Sequence, residues 1–202
     1  MTGSKSALLD AATAEFAKHG LRGTRIQSIV KRAGVNERMI YHHFGSKDGL
    51  YRAVLDAQWA SMREAWAPVL IKSVTLPPGE AMRTALAGLF DAVSDRPLLV
   101  GLAIHEALAG WPTRPLPNVE TLPPPLRMIY EKGQEQGVFR ADCPFEVAYG
   151  VALGSLFLLP VMGPRFTEVM KSDPTGSHPS QELRDQIIEQ VIDGMTGPAK
   201  AG

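Results

Sequence analysis

The stretch from Thr24 to Lys47 constrains the fold of this 202-residue chain most, because two short apolar patterns flank a tight turn. Thr24, with Gln27 three residues later, fits a capping box and predicts a helix start. Gly34 suits a left-handed helix end, and Asn36 is a second N-cap candidate. The apolar positions of the first helix share one face; they are Ile26, Ile29, Val30 and Ala33. The pattern predicts a helix-turn-helix.

The second helix of this stretch has two different faces. At about 100° per residue, Ile40 and Phe44 share one side, and we expect them to pack inward. Arg38, Met39 and His42 lie on the opposite side and are expected to face outward. Arginine bonds guanine edges in the major groove, whereas tyrosine, histidine and lysine suit phosphates. The flanking residues of the phosphate-binding type are Tyr41, His43 and Lys47. The pattern indicates DNA reading; the alternative is a solvated face on an ordinary bundle.

The charge of the chain is partitioned, although its formal net charge is zero. Residues 1–60 contain nine Lys or Arg and five Asp or Glu, a balance of +4. Residues 61–202 contain twelve and sixteen, a balance of −4. A nucleic-acid surface is therefore expected in the N-terminal segment, which we call the head, and the following body is expected to attract phosphates poorly.

A cytoplasmic protein is expected from cysteine usage and from the N-terminus. The chain has one cysteine, Cys143, so an intramolecular disulfide framework is excluded. The first six residues form a short polar segment, unlike a signal peptide. The most apolar segment, Val147–Met162, is too short to span a membrane and contains Pro160.

The rest of the chain shows helical periodicity and no sustained strand alternation, so an all-α fold is expected. Prolines and glycines fall between the apolar runs. Irregular loops are predicted over Trp111–Pro125, which is rich in proline, and over Lys171–Ser180. Helices are predicted over Ser4–Lys18, Asp48–Leu70 with Ser46 as cap, Pro78–Ser94, Pro97–Ala109, Leu126–Gln136, Pro144–Met162 and Gln181–Met195.

The segment LLDAATAEFAKHGLRGTRIQSIVKRAGVNERMIYHHFGSKDGLYRAVL resembles the N-terminal domain of the tetracycline-repressor (TetR) family of bacterial transcription regulators. The resemblance covers about a quarter of the chain, and GQEQGVFR at 133–140 is similar to a common body sequence of that family. It implies a three-helix helix-turn-helix domain over residues 1–47, a connecting helix over 48–70, and a helical regulatory and dimerisation domain over 71–197.

The resemblance also assigns DNA-binding positions. The family's phosphate anchors fall on Thr24, Tyr41 and Lys47, and its groove-facing positions on Gln27, Arg38, Met39 and His42; Asn36 completes the predicted set. Glu37 departs from the family pattern, which commonly has a basic or small residue there. Arg38 stands where glycine is frequent. We interpret Glu37 as a residue that orients Arg38.

A homodimer interface is expected on the last two helices. In the resembled family these helices form a four-helix bundle across a two-fold axis, and small glycines permit close approach. The alternative is a purely intramolecular core. The candidate interface residues are Val147, Gly150, Val151, Gly154, Phe157, Leu158, Ile187, Ile188 and Val191.

A small-molecule pocket is expected in the body, because large apolar surfaces with occasional polar groups suit a ligand; the alternative for each residue is ordinary core packing. The ligand-binding candidates are Trp59, Met62, Trp66, Phe90, His105, Glu106, Trp111, Met128 and Tyr149. His105-Glu106 begins like a zinc-protease signature, but position 109 is alanine. No catalytic motif, metal site or cofactor is predicted.

These observations predict a regulator, and specifically a repressor, that binds a palindromic DNA operator as a homodimer. A partly apolar effector, bound in the body, is expected to release it. The alternative is a constitutive dimeric DNA-binding protein without an effector. A helical enzyme with a DNA-binding head has no support beyond unassigned polar residues.

Overall fold

The computed structural model describes residues 2–113, 122–170 and 181–196, and of residues 2 and 158–170 it describes the backbone alone. Every regular element in this part of the chain is an α-helix, which confirms the all-α prediction. The helices are α1 (Thr2–Gly23), α2 (Ile26–Ala33), α3 (Arg38–Phe44), α4 (Lys47–Ser73), α5 (Pro78–Ser94), α6 (Pro97–Leu108), α7 (Pro124–Glu135), α8 (Phe145–Met170) and α9 (Gln181–Thr196).

Local start and stop signals predicted most of these bounds. The limits of α5 agree at both ends, and prolines stand in the first turn of α5, α6 and α7, where a missing N–H costs nothing. The α1 path kinks at Gly20, whose φ of 64° ends the regular helix where the sequence predicts. The predicted end of α8 at Met162 is wrong, because the helix continues to Met170 despite Pro160 and Pro164. The predicted loop over 171–180 lies outside the described residues, as do positions 114–121 of the proline-rich segment.

The chain forms two compact units. Unit 1 comprises Met1–Met62 and Arg96–Leu116, and unit 2 comprises Arg63–Asp95 and Pro117–Gly202. The predicted domain limits, which stay a prediction, differ from this division in two respects. Helix α6, which the sequence places in the body, belongs to the same unit as the head, and α4 contributes residues to both units.

The core of unit 1 joins α1, α2, α3, α4 and α6. The fully buried Ile29 and Ile40 hold the two helices of the helix-turn-helix together, as predicted. Phe16 and Tyr51 pack edge to face, with ring centroids 4.9 Å apart. The other buried members are Leu8, Ala11, Ala12, Leu50, Val54, Leu55 and Leu102.

Helix α6 packs tightly against α1 because two glycines allow close approach. A Cβ at Gly101 would lie 2.8 Å from the carbonyl oxygen of Ala17. A Cβ at Gly20 would lie 2.9 Å from Nδ1 of His105. The α6 helix therefore has little freedom to slide along α1 while unit 1 stays packed.

In unit 2, polar and aromatic contacts of the segment GQEQGVFR, residues 133–140, fix the connection between α7 and α8. The ring of Phe139 occupies the space where Gly133 lacks a side chain, and it stacks on Tyr130 at 5.2 Å. Gly137 has a φ of 70°, which turns the chain after α7. The side-chain amide of Gln134 donates to the carbonyl oxygens of Arg140 at 2.8 Å and Cys143 at 3.0 Å. These contacts hold the chain that follows α7 against that helix.

Candidate nucleic-acid interface

The turn between α2 and α3 has the predicted geometry. Gly34 adopts φ 65° and ψ 30°, and its N–H donates to the carbonyl oxygen of Val30. The Asn36 side-chain oxygen accepts the N–H of Arg38 at 2.9 Å. Asn36 therefore caps α3 as predicted, although the regular helix begins two residues later.

Helix α3 presents a polar face to solvent. Ile40 is fully buried and Phe44 packs against the unit 1 core, which confirms the predicted inward side. Arg38, Tyr41 and His42 are exposed. Three side chains with different hydrogen-bonding groups thus project from one short helix, with geometry suitable for a groove.

The capping box predicted at Thr24 is wrong. Arg25 occupies the N-cap of α2, where no side chain caps the helix. The Thr24 hydroxyl instead donates to the carbonyl oxygens of Gly20 at 2.7 Å and Glu15 at 3.1 Å. Thr24 is 3% exposed, so its side chain joins α1 to α2. Its phosphate contact stays a prediction, and the burial of the hydroxyl counts against it.

The remaining predicted DNA contacts differ in exposure. Gln27 is exposed, whereas Lys47 is half-buried at the start of α4. Met39 is half-buried against the unit 1 core, so it lies on the border of the outward face rather than at its centre. The predicted cap of α4 is confirmed, because the Ser46 hydroxyl accepts the N–H of Gly49 at 2.9 Å.

Glu37 contacts Tyr41 across one helical turn. The Tyr41 hydroxyl donates to the Glu37 carboxylate at 3.2 Å. This hydrogen bond is the main cause of a raised pKa of Tyr41, followed by burial and the charge of Glu37. The interpretation that Glu37 orients Arg38 finds no contact in the structure. The spacing of four residues between Glu37 and Tyr41 was the sequence signal for this pair.

The first turns of α1 also reach α3, which sequence reasoning missed. The Ser4 hydroxyl lies 3.2 Å from Nε2 of His43, and the Lys5 ammonium lies 6.0 Å from the Phe44 ring centroid. A groove of about 610 Å³ opens beside these residues. It is lined by Lys5, Ser6, Leu9, Asp10, Thr13, His43, Ala57 and Gln58.

The candidate ligand residues divide between the two units. Trp59, Met62, His105, Glu106 and Trp111 belong to unit 1. In unit 2, Trp66, Phe90 and Tyr149 are buried, whereas Met128 is exposed. The indole N–H of Trp66 donates to the carbonyl oxygen of Ala85 at 2.8 Å. None of the nine lines the groove beside α3 or a second groove of about 480 Å³ between α5 and α9.

The two polar ligand candidates have clear structural contacts in unit 1. Glu106 is 1% exposed and accepts hydrogen bonds from the hydroxyl of Tyr51 and, at 3.2 Å, from the N–H of Thr113. Burial, followed by the contact with Glu106, raises the pKa of Tyr51 far above its usual range. The His105 ring lies against Gly20. These contacts hold α6 in place, so the presence of His105 and Glu106 needs no ligand to explain it.

The candidate dimer residues fall into two groups. Val147, Gly150, Val151 and Gly154 form an exposed, largely apolar stripe along α8, and a Cβ at either glycine would meet nothing within 4 Å. Phe157 is half-buried, and the Leu158 side chain lies outside the described residues.

The α9 candidates are placed differently. Ile187 is half-buried, whereas Ile188 and Val191 are buried inside unit 2 of a single chain, so their burial needs no partner.

Two further searches cover the described residues. No group of three or more His, Cys, Asp or Glu side chains within them is arranged to hold a metal ion. No helix in this part of the chain has the length and apolarity needed to cross a membrane.

Comparisons with known proteins agree with the geometry of α2 and α3. The family model "Bacterial regulatory proteins, tetR family" matches residues 8–54. The transcriptional repressor NicS of Pseudomonas putida is 35% identical over 147 residues, which cover 70% of this chain and 68% of NicS. The repressor KstR2 of Rhodococcus jostii is 28% identical over 202 residues, covering 98% of this chain and 93% of KstR2.

Solved structures share the fold over nearly the whole chain. A TetR family transcription regulator from Marinobacter aquaeolei matches with a TM-score of 0.70 and 18% identity, covering 96% of each chain. The ketosteroid transcriptional regulator KstR2 of Mycobacterium tuberculosis matches with a TM-score of 0.63 and 23% identity, covering 96% of this chain and 95% of that structure.

Proposed function

The chain belongs to the tetR family of bacterial regulatory proteins and is a transcription regulator, and we propose that it is a homodimeric repressor released from its operator by a small molecule. The observation that carries the proposal is the outward face of α3. Arg38, Tyr41 and His42 are exposed there, while Ile40 anchors the helix in the core of unit 1. The charge balance of +4 over residues 1–60 supports the same surface.

In this proposal the residues of the interface have separate tasks. Arg38 and His42 read base edges, and Gln27 extends the reading face from α2. Tyr41 and Lys47 contact phosphates and so fix the register of the head on the duplex. The relatives NicS and KstR2 are both named repressors, which supports repression as the sense of regulation.

The homodimer is supported by the stripe on α8. Val147 and Val151 are more than half exposed, and Gly150 and Gly154 leave the helix surface open between them. A second copy packed across a two-fold axis would bury the same stripe from both chains. A two-fold dimer requires an operator with matching half-sites.

The effector is proposed to be a partly apolar small molecule that binds the chain outside the DNA-reading face. The aromatic and polar candidates of either unit, taken by itself, offer apolar surface and a few hydrogen-bonding groups, which is the chemistry that such a molecule requires. KstR2 of Mycobacterium tuberculosis is named a ketosteroid regulator, so a steroid ketone is a reasonable first probe. Release follows if the effector binds the DNA-incompetent state more tightly.

The DNA-binding proposal is tested by selecting a binding site from random duplexes and measuring two variants on it. Arg38→Ala should cost about 1 to 3 kcal/mol on the selected site and relax the preference at one base pair. Lys47→Ala should weaken selected and random duplexes alike and reduce the salt dependence by about one phosphate contact. Arg38→Ala with unchanged affinity and preference would refute the reading role of α3.

The effector proposal needs a separate measurement. A thermal-shift screen of small apolar compounds, beginning with a steroid ketone, identifies ligands that stabilise the folded chain. A true effector must also lower the affinity for the selected duplex, measured by anisotropy at saturating compound. A ligand that stabilises the protein without changing DNA affinity contradicts release as the mechanism.

A further inference from the structure

Glu37 and Tyr41 lie at one edge of the DNA-reading face of α3. Their side chains are one helical turn apart and are joined by the 3.2 Å hydrogen bond from the Tyr41 hydroxyl to the Glu37 carboxylate. At about 100° per residue, the pair is rotated about 100° from Arg38 and His42. At the opposite border Met39 is half-buried against the core of unit 1. Because the Tyr41 side chain is 50% exposed, the Glu37–Tyr41 pair is the more open border of the face.

Phosphates are the DNA groups expected at such a border. When Arg38 and His42 point at base edges, side chains at the border approach the sugar-phosphate backbone beside the groove. A tyrosine hydroxyl donates well to a phosphate oxygen, but the Tyr41 hydroxyl has a single proton. In the free protein that proton is donated to Glu37, and the Tyr41 side chain remains 50% exposed. A carboxylate at the same border repels the phosphates.

We propose that Glu37 limits the phosphate contacts of the reading face, by occupying the Tyr41 hydroxyl and by placing a negative charge at the border of that face. The inference rests on the proposed DNA-binding function of α3 and deepens it. Binding to a random sequence depends almost wholly on phosphate contacts, whereas the selected site adds base contacts from Arg38 and His42. The affinity for a random duplex is therefore the most direct measure of what Glu37 does to the phosphate contacts.

Glu37→Gln tests the charge, because glutamine keeps the size of the side chain and an oxygen acceptor. The affinity for a random 30-base-pair duplex should rise about fivefold at low salt, the effect of removing one unit charge about 4 Å from a phosphate in water. The gain should shrink as salt is added, because exposed charges are screened. Glu64→Gln makes the same charge change on an exposed residue of unit 2 and should leave the affinity unchanged.

Tyr41→Phe, made in both backgrounds, tests the pair. In the wild type the substitution should weaken random-duplex binding by about twofold, because the hydroxyl is already held by Glu37. In the Glu37→Gln background the loss should grow to about fivefold, because a neutral amide oxygen competes less well with a phosphate for the proton. The two substitutions are then non-additive, as expected for contacting residues.

The outcomes separate the inference from the function it rests on. Wild-type protein that binds no duplex refutes the proposed function itself. Wild-type binding with an unchanged affinity in Glu37→Gln, or a gain that persists undiminished at high salt, overturns the inference alone. Equal losses for Tyr41→Phe in the two backgrounds also overturn it. Thermal unfolding of each variant confirms that these surface substitutions leave the fold intact.

Discussion

Removal of the Tyr51 hydroxyl should destabilise the protein, and the structure sets the size of the effect. Tyr51 and Glu106 are each 1% exposed, so water cannot replace a lost donor. In Tyr51→Phe the ring keeps its edge-to-face contact with Phe16, and only the hydrogen bond to the carboxylate is lost. The N–H of Thr113 remains as a donor to Glu106. The substitution therefore isolates one buried, charge-assisted hydrogen bond.

A hydrogen bond to a charged group contributes about 1.5 to 3 kcal/mol, so we expect Tyr51→Phe to lower the free energy of unfolding by about 2 kcal/mol. For a chain of this length that loss corresponds to a fall of about 4 to 8 °C in Tm. Differential scanning calorimetry measures the Tm, and the midpoint of urea unfolding gives an independent value for the loss.

Tyr41→Phe is the matched control for this prediction. It deletes the same hydroxyl and the same kind of bond, here to Glu37, but Tyr41 is 50% exposed and water can replace the lost contact. Its effect should stay within about 0.5 kcal/mol. Equal losses in the two variants, or an unchanged Tm in Tyr51→Phe, would refute the view that the buried Glu106 carboxylate depends on Tyr51.

Two further predictions concern unit 2. Burial raises the pKa of Tyr149 to about 12 from the model-compound value of 10.0, so the folded state keeps a proton that the unfolded state loses. The contribution of this group to the free energy of unfolding is present below about pH 10 and is lost as the pH rises. Between about pH 10 and about pH 11, the free energy of unfolding measured in urea should fall by about 1 kcal/mol more in the wild type than in Tyr149→Phe. Equal falls in the two proteins would contradict this prediction. On the α8 stripe, Val151→Glu should convert the proposed homodimer to monomer in sedimentation experiments, because a two-fold interface would bury both carboxylates. Ile71→Glu, at a 68% exposed position of α4, is the matched control, and a dimer that survives Val151→Glu would remove the stripe from the interface.

Features set by neighbouring residues could be predicted from the sequence. Gly34 ends α2, Asn36 caps α3 and Ser46 caps α4, since each hydrogen bond joins residues only a few positions apart. Prolines at the starts of α5 and α6 marked their bounds for the same reason. Helical periodicity likewise placed Arg38 and His42 on the exposed side of α3 and Ile40 in the core, so the centre of the proposed DNA-reading face followed from the sequence alone.

Only the tertiary structure decided which distant groups meet. Thr24 has the sequence of a helix cap, yet its hydroxyl donates to carbonyl oxygens of α1, among them that of Glu15, nine positions earlier in the chain. Glu106 had the appearance of a ligand contact, but the packing of α6 in unit 1 places it against Tyr51, 55 positions earlier in the chain. Spacing reveals partners within one helix, such as Glu37 and Tyr41. Partners on different helices depend on how apolar faces pack, and that packing depends on the whole chain.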